Sequence, residues 1–461
     1  MDLRELKFVR SLVNHSFRLP EPARSFPFHR MNLGLTVNKR SGSPDYELLS
    51  KSLTANMVDS FGRSPSGHVV ALEMTAVTES IWTLTPAGCG FYNGLSGIAL
   101  ALISAYYATD DAQCLELADR ILIDCGTSTD LLVRDLENGA VTTETLDFGF
   151  YGVSGGLLFC CLMADRYGIG GDNKDWKKRY VKLLTLITES ALSEERDIEI
   201  DVVSGLAGTV LMVLTTMQIC PEVVAPALAK LTNRLIKLVK RVFLGDGGSR
   251  LAPNDERLLG FAHGSDGILY TLSRVVKYLP SHLREDVLEV TELLFSWEFE
   301  IVRRAGYKWP DFRESSEATD FTMSTWCHGA PGAMIAMRQL EGNKLIARDT
   351  AARASELAAI AEGQTLSSLR GDRDQFAKHG HSLCHSKLSN AFIGKKYASI
   401  RNQGEFGEMF DKQLDEMSEL GWIGGGIEGV RSQGLMTGMA GTLLMVADSA
   451  SSEAFPDVLC P

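Results

Sequence analysis

The sequence predicts an all-α protein, an α/α toroid (barrel) of seven inner and seven outer helices, and two observations predict it. The first is a G-x-x-G pair recurring about every 52 to 65 residues, at Gly94/Gly97, Gly152/Gly155, Gly205/Gly208, Gly264/Gly267, Gly329/Gly332 and Gly438/Gly441. Ser386/Ser389 stand where the sixth of seven copies falls. A period of that size marks one supersecondary unit copied along a solenoid or around a ring. The second observation is an alternation between segments that are apolar nearly all round and segments that are apolar on one face only.

Each element follows from its own stretch of sequence. Residues 1–80 lack the repeat and carry turn-rich stretches such as RLPEPARSFPFHR and KRSGSPDY, so they read as an N-terminal extension or linker, helical in part. Residues 81–461 read as one repeat domain, because the units run from about Phe91 to Ala447 without a break in composition. GIALALISAYYA at 97–108 and GLLFCCLMA at 156–164 follow the first two glycine pairs and read as helices buried on every side. In DWKKRYVKLLTLITESAL at 175–192, LAKLTNRLIKLVKRVF at 228–243 and REDVLEVTELLFSWEFEIV at 284–302, leucines and valines recur at helical spacing opposite charges. Helices of that kind bury one face and jacket the inner ring. Glycines three apart at a helix start remove side chains from one face and let backbones approach closely. Strand signals are sparse.

Composition limits the function classes. A hydrophobic content of 45% with 23% charged residues belongs to a globular protein with an ample core, and no apolar run has membrane-spanning length, so stable membrane insertion is not expected. The formal charge of −12 opposes general nucleic-acid binding, which relies on a basic footprint. Lys230, Arg234, Lys237, Lys240 and Arg241 form one local basic stripe, read as a solvated outer face or a docking face for an acidic peptide. The first ten residues carry Asp2, Arg4, Glu5, Lys7 and Arg10 with no apolar stretch after a basic start, and the nine cysteines are an odd count scattered through the chain. Reduced thiols and a cytoplasmic protein are therefore expected.

The repeat also serves as a ruler. The residues before the first glycine, or its serine counterpart, are Asn93, Tyr151, Ser204, His263, His328, His385 and Thr437, so three consecutive units place histidine on one rim. One position earlier, the fifth and sixth units carry Cys327 and Cys384. Equal offsets on adjacent helices, packed roughly 8–10 Å apart, bring these thiols near each other. Thiolate and imidazole are ligands of tetrahedral zinc, and three protein ligands leave a fourth position for water or substrate. His385 follows Cys384 in the irregular turn before the helix, while His328, His379 and His381 compete as ligands. Cys160 and Cys161, inside an apolar run, read as inert small hydrophobes. No G-x-x-x-x-G-K-[ST] phosphate loop occurs.

FAHGSDGI at 261–268, WCHGAPGA at 326–333, the Cys384–His385 pair and GLMTGMAG at 434–441 resemble the lanthionine synthetase C-like cyclases over roughly residues 82–447. The WCHG form, with Trp82 ahead of FYNGLSGIAL, looks most like the cyclase half of class II lanthipeptide synthetases. The resemblance implies a zinc enzyme that closes thioether rings by adding peptide cysteine to dehydroalanine or dehydrobutyrine. It implies Cys327, Cys384 and His385 as zinc ligands, His263 as the acid/base, and Asp201 as its orienting partner or a second acid/base. The implied partners are a dehydrated precursor peptide and a separate dehydratase or kinase–lyase. Ser386 and Ser389 depart from the family's glycines and are expected to alter helix entry beside the ligands. Three other readings compete: addition of glutathione to dehydrated side chains, a non-catalytic toroid that binds a peptide or partner, and an α/α-barrel glycosidase. The last needs two facing carboxylates where the rim carries histidine and cysteine.

Overall fold

The structure is a computed structural model that describes residues 39–40, 43–64, 68–76, 82–194, 196–244, 258–312, 323–371, 380–424, 432–451 and 457–459. Inner helices are α2 (Leu95–Thr109), α4 (Val153–Tyr167), α6 (Leu206–Thr215), α8 (Ser265–Val275), α10 (Ala330–Gly342), α12 (Lys387–Tyr397) and α14 (Met439–Ala450). Outer helices are α3 (Ala112–Glu137), α5 (Asn173–Leu192), α7 (Pro221–Val239), α9 (Ser281–Arg304), α11 (Arg348–Arg370) and α13 (Ile400–Leu420). The seventh outer position is filled by α1 (Tyr46–Val58), which precedes the repeat and packs on α14 and α2. Six units thus run inner-then-outer, as the alternation predicts. The seventh borrows its jacket from the other end of the described chain.

Burial explains the two helix types. Every residue from Leu95 to Ala105 in α2 and from Leu206 to Leu214 in α6 is buried. On α7 only one stripe is buried, through Val224, Ala227, Leu228, Leu231 and Leu235. Each fully buried leucine or valine contributes about 1.5–3 kcal/mol relative to exposure, so the inner ring dominates the core. Lys230 and Lys237 of the basic stripe are exposed on α7, and Lys240 pairs with Glu289 on α9 at 3.2 Å. Asp45 caps α1 through its side chain, and Leu49, Leu53 and Met57 bury the face turned to the ring.

The repeat loops are stitched to one another by main-chain hydrogen bonds. The amide of Met436 donates to Tyr92 O, Tyr92 to Tyr151 O, Phe150 to Val202 O, Val202 to Ala262 O, and Ala262 to Cys327 O; Cys384 donates to Met436 O. These six bonds join six of the seven junctions between units and fix the rim as one continuous band. The remaining junction, between Cys327 and Cys384, is where the thiols meet. Phe91, Tyr151, Trp326 and Phe261 are buried rings in contact in that order, with Tyr151 and Trp326 centroids 5.6 Å apart. Residues 458–459 reach this aromatic cluster: the Tyr151 hydroxyl donates to Val458 O and the Trp326 indole to Leu459 O at 3.0 Å.

Close backbone approach at helix entry is met in two ways. At Gly332 a Cβ would strike Trp326 O and lie 2.8 Å from the Phe261 side chain, so only glycine fits. Gly329 sits at φ +114°, a conformation that favours glycine. In the sixth unit Ser386 adopts extended backbone, and its hydroxyl accepts from Ser389 N–H at 3.0 Å and donates to Ser382 O at 2.7 Å. The Ser389 hydroxyl donates to Leu383 O at 2.5 Å, the carbonyl equivalent to Trp326 O in the fifth unit. The serines therefore cap α12 where glycine pairs would open it. Among the described residues strands form three two-stranded ribbons, one of which pairs Leu72–Ala76 with Trp82–Pro86 and leads into the first unit. Among the described residues no helix is long and apolar enough to cross a membrane.

Candidate functional site

Cys327, Cys384 and His385 each present one ligand atom, and the three atoms lie within 4.8 Å of one another. Cys384 is buried and the other two are half-buried. Cys327 and Cys384 stand at the same offset in neighbouring units, so the stitched rim sets their approach. The Cys384 side chain, hydrogen-bonded to the Cys327 thiol, and burial together push Cys327 well above its usual range. Two thiols this close cannot both ionise alone, whereas a cation between them removes that obstacle. A soft donor set of two sulfurs and one imidazole fits zinc, for which three protein ligands are the count of a catalytic site.

Two hydroxyls attend the sulfurs. Tyr92 Oη donates to Cys384 Sγ at 3.1 Å, and Thr325 Oγ1 lies 3.3 Å from Cys327 Sγ. Neither was singled out from the sequence, although Tyr92 occupies the same offset in the first unit as the two cysteines do in theirs. The ruler held the signal, but tyrosine there reads as an aromatic of the core.

His263 Nδ1 lies 2.7 Å from Asp201 Oδ2, so the carboxylate accepts the Nδ1–H and Nε2 is the nitrogen left for proton exchange. Asp201 does two jobs, because its Oδ1 also accepts the Ser204 N–H at 2.7 Å and caps the turn before α6. Burial pushes the His263 pKa down, but the hydrogen bond and charge of Asp201 outweigh it, and the net shift is upward. Ser204 Oγ donates to Glu199 at 2.6 Å, adding a second carboxylate beside Asp201. His263 and Asp201 line an open cleft of about 700 Å³ that also includes Glu199, Arg241 and Leu258. Arg241 of the basic stripe thereby faces the site rather than plain solvent.

The competing histidines separate. His328 is buried and stacks on His263 with centroids 5.8 Å apart, outside the three-ligand group. His381 accepts the Ile423 N–H on its Nδ1 at 2.9 Å, a structural use. His379 lies outside the described residues. Cys160 and Cys161 are buried in α4, and burial pushes Cys161 well above the usual thiol range, as an inert core residue requires.

A helical toroid with a cysteine–cysteine–histidine group on one rim and a histidine–aspartate dyad in the next cleft defines the class. The family model described as "Lanthionine synthetase C-like protein" matches residues 85–460, and the chain belongs to that family. Among solved structures the chain is similar to one named "Nisin cyclase", at 16% identity and a TM-score of 0.57, covering 80% of this chain and 90% of that chain. At that identity the likeness is one of fold.

Proposed function

We propose that this protein is a zinc-dependent lanthipeptide cyclase of the class II type, adding peptide cysteine to dehydroalanine or dehydrobutyrine to form (methyl)lanthionine rings. The observation that carries the reading is the Cys327/Cys384/His385 group, with its ligand atoms within 4.8 Å, beside the His263–Asp201 dyad. Family membership and the fold shared with a structure named for nisin cyclisation support it. Zinc held by Cys327, Cys384 and His385 would supply an incoming thiol in its nucleophilic, deprotonated form near neutral pH.

The chain's own groups complete the chemistry. Addition of sulfur to the β-carbon leaves an enolate, whose α-carbon takes one proton. In this reading His263 gives it, supported by the Asp201 carboxylate, which favours the imidazolium and holds the ring by Nδ1. The Tyr92 hydroxyl, donating to Cys384 Sγ, draws charge from that sulfur and fixes its direction. The substrate is a dehydrated precursor peptide, supplied by a separate dehydratase or kinase–lyase in the cytoplasm.

The test is incubation of the zinc-loaded chain with a dehydrated peptide, followed by alkylation of the remaining thiols and mass measurement. One alkylatable thiol is lost per ring closed, and His263→Ala slows closure by about 10²–10⁴-fold. A wild-type chain that consumes no thiol removes the proposal.

A further inference from the structure

A pair of carboxyl groups lies wholly inside the protein behind His263. Asp266, in the first turn of α8, and Glu298, on α9, both have 0% exposure. Asp266 Oδ2 accepts the Gly260 N–H at 3.0 Å, and Glu298 Oε2 accepts the Ser265 hydroxyl at 2.5 Å. Their other oxygens, Asp266 Oδ1 and Glu298 Oε1, make no further hydrogen bond of ordinary geometry among the described residues; the Trp309 indole lies against Glu298, and the two carboxyl side chains are hydrogen-bonded to each other. Two facing acceptors can bond only if one carboxyl keeps its proton, and two buried carboxylates in contact cannot both ionise. Burial raises both carboxyls, and the charge of Glu298 adds to the rise at Asp266, so the pair keeps one proton between them.

What the pair holds is the loop that carries the acid. Gly260 sits at φ +108°, and its Cβ position is blocked by Cys327 O, so this residue turns the chain against the metal-bearing loop. Two residues on, the Ala262 N–H donates to Cys327 O at 3.2 Å, and His263 follows. Ser265, immediately after the Gly264 helix cap, is tied to Glu298 from the other side. The loop from Gly260 to Ser265 is thus anchored at both ends by one carboxyl pair, with His263 between the anchors.

We propose that Asp266 and Glu298 form a hydrogen-bonded acid–carboxylate pair that positions His263 against the Cys327 side of the site. They are positioning residues: neither faces the cleft that His263 lines. The inference rests on the cyclase reading for its kinetic consequence, and a misplacement of about 1 Å in a reacting group costs on the order of 10²-fold in rate.

The experiment compares zinc-loaded wild type, Asp266→Asn and Asp266→Ala in single-turnover ring closure, with rates scaled to the folded fraction measured by circular dichroism. Asparagine keeps an acceptor for Gly260 and offers an N–H to Glu298, so Asp266→Asn stays within about threefold of wild type. Asp266→Ala loses about 10–100-fold in rate per folded molecule with KM nearly unchanged. Infrared spectroscopy of the wild type at neutral pH shows a protonated-carboxyl C=O stretch that Asp266→Asn abolishes. Equal rates per folded molecule for wild type and Asp266→Ala overturn the proposal, as does an Asp266→Asn rate as low as that of Asp266→Ala. So does absence of the infrared band, a readout that stands even if the wild type closes no ring and the cyclase reading itself falls.

Discussion

Asp201 illustrates how one side chain serves fold and chemistry through different atoms, Oδ1 on the Ser204 amide and Oδ2 on His263. Because the folded His263 pKa is raised, the pair adds stability that is fully present below the unfolded value of about 6.5. That stability is lost as pH rises through the folded value. Half exposure of the imidazole keeps the contribution small. In Asp201→Asn the chief cause of the rise is gone while burial and the lesser influence of Glu199 and Cys327 remain, so the His263 pKa measured by NMR titration falls below that of wild type. An unchanged titration midpoint would show that Asp201 does not control the imidazole. At this scale part was legible: offsets from the glycine ruler marked His263, His328, His385, Cys327 and Cys384, and the family resemblance chose among them. Tyr92 was hidden, because a tyrosine hydroxyl on sulfur has no signature distinct from core packing. Glu298 was hidden too, since its neighbours Glu300, Arg303 and Arg304 make the helix read as a solvent-facing charged stretch.

At the scale of the element, the sixth unit shows that helix entry can be built without glycine. Ser386 and Ser389 each find a main-chain partner, and Cys384 and His385 beside them keep their place in the group. Replacing Ser386 by alanine removes an N-cap and costs about 1 kcal/mol, whereas glycine costs only a few tenths. Gly332→Ala, by contrast, drives a Cβ into Trp326 O beside the Cys327 loop and costs about 1–3 kcal/mol through strain. Urea unfolding midpoints of the three variants test this ranking; a Gly332→Ala midpoint above that of Ser386→Ala would contradict it. The sequence pointed to altered helix entry at the serines, and the structure gives the form of the alteration as a capped start. The G-x-x-G spacing could not show it, since spacing reports clearance and not hydrogen bonds.

At the scale of the molecule, closure of the ring depends on a helix that carries no repeat signal. α1 has neither the glycine pair nor the all-round apolar character of the inner helices, so only its packing on α14 and α2 reveals it as the seventh jacket. A chain beginning at residue 82, close to where the family match starts, would expose the faces of α2 and α14 that Leu49, Leu53 and Met57 cover. Each such buried side chain contributes about 2–5 kcal/mol on the scale of truncation to alanine, so losing three costs on the order of 10 kcal/mol. Thermal unfolding of the shortened chain is therefore expected at a clearly lower midpoint, with loss of cooperativity. An identical midpoint would mean that the toroid closes without α1.

The central claim joins all three scales: a stitched ring brings Cys327, Cys384 and His385 to one point, and that point holds zinc. Metal analysis of protein purified without chelator measures it most directly. The account predicts about one zinc per wild-type chain, and less than about a tenth of that in a folded Cys384→Ala variant. Zinc absent from the wild type, or retained in full by Cys384→Ala, would contradict it.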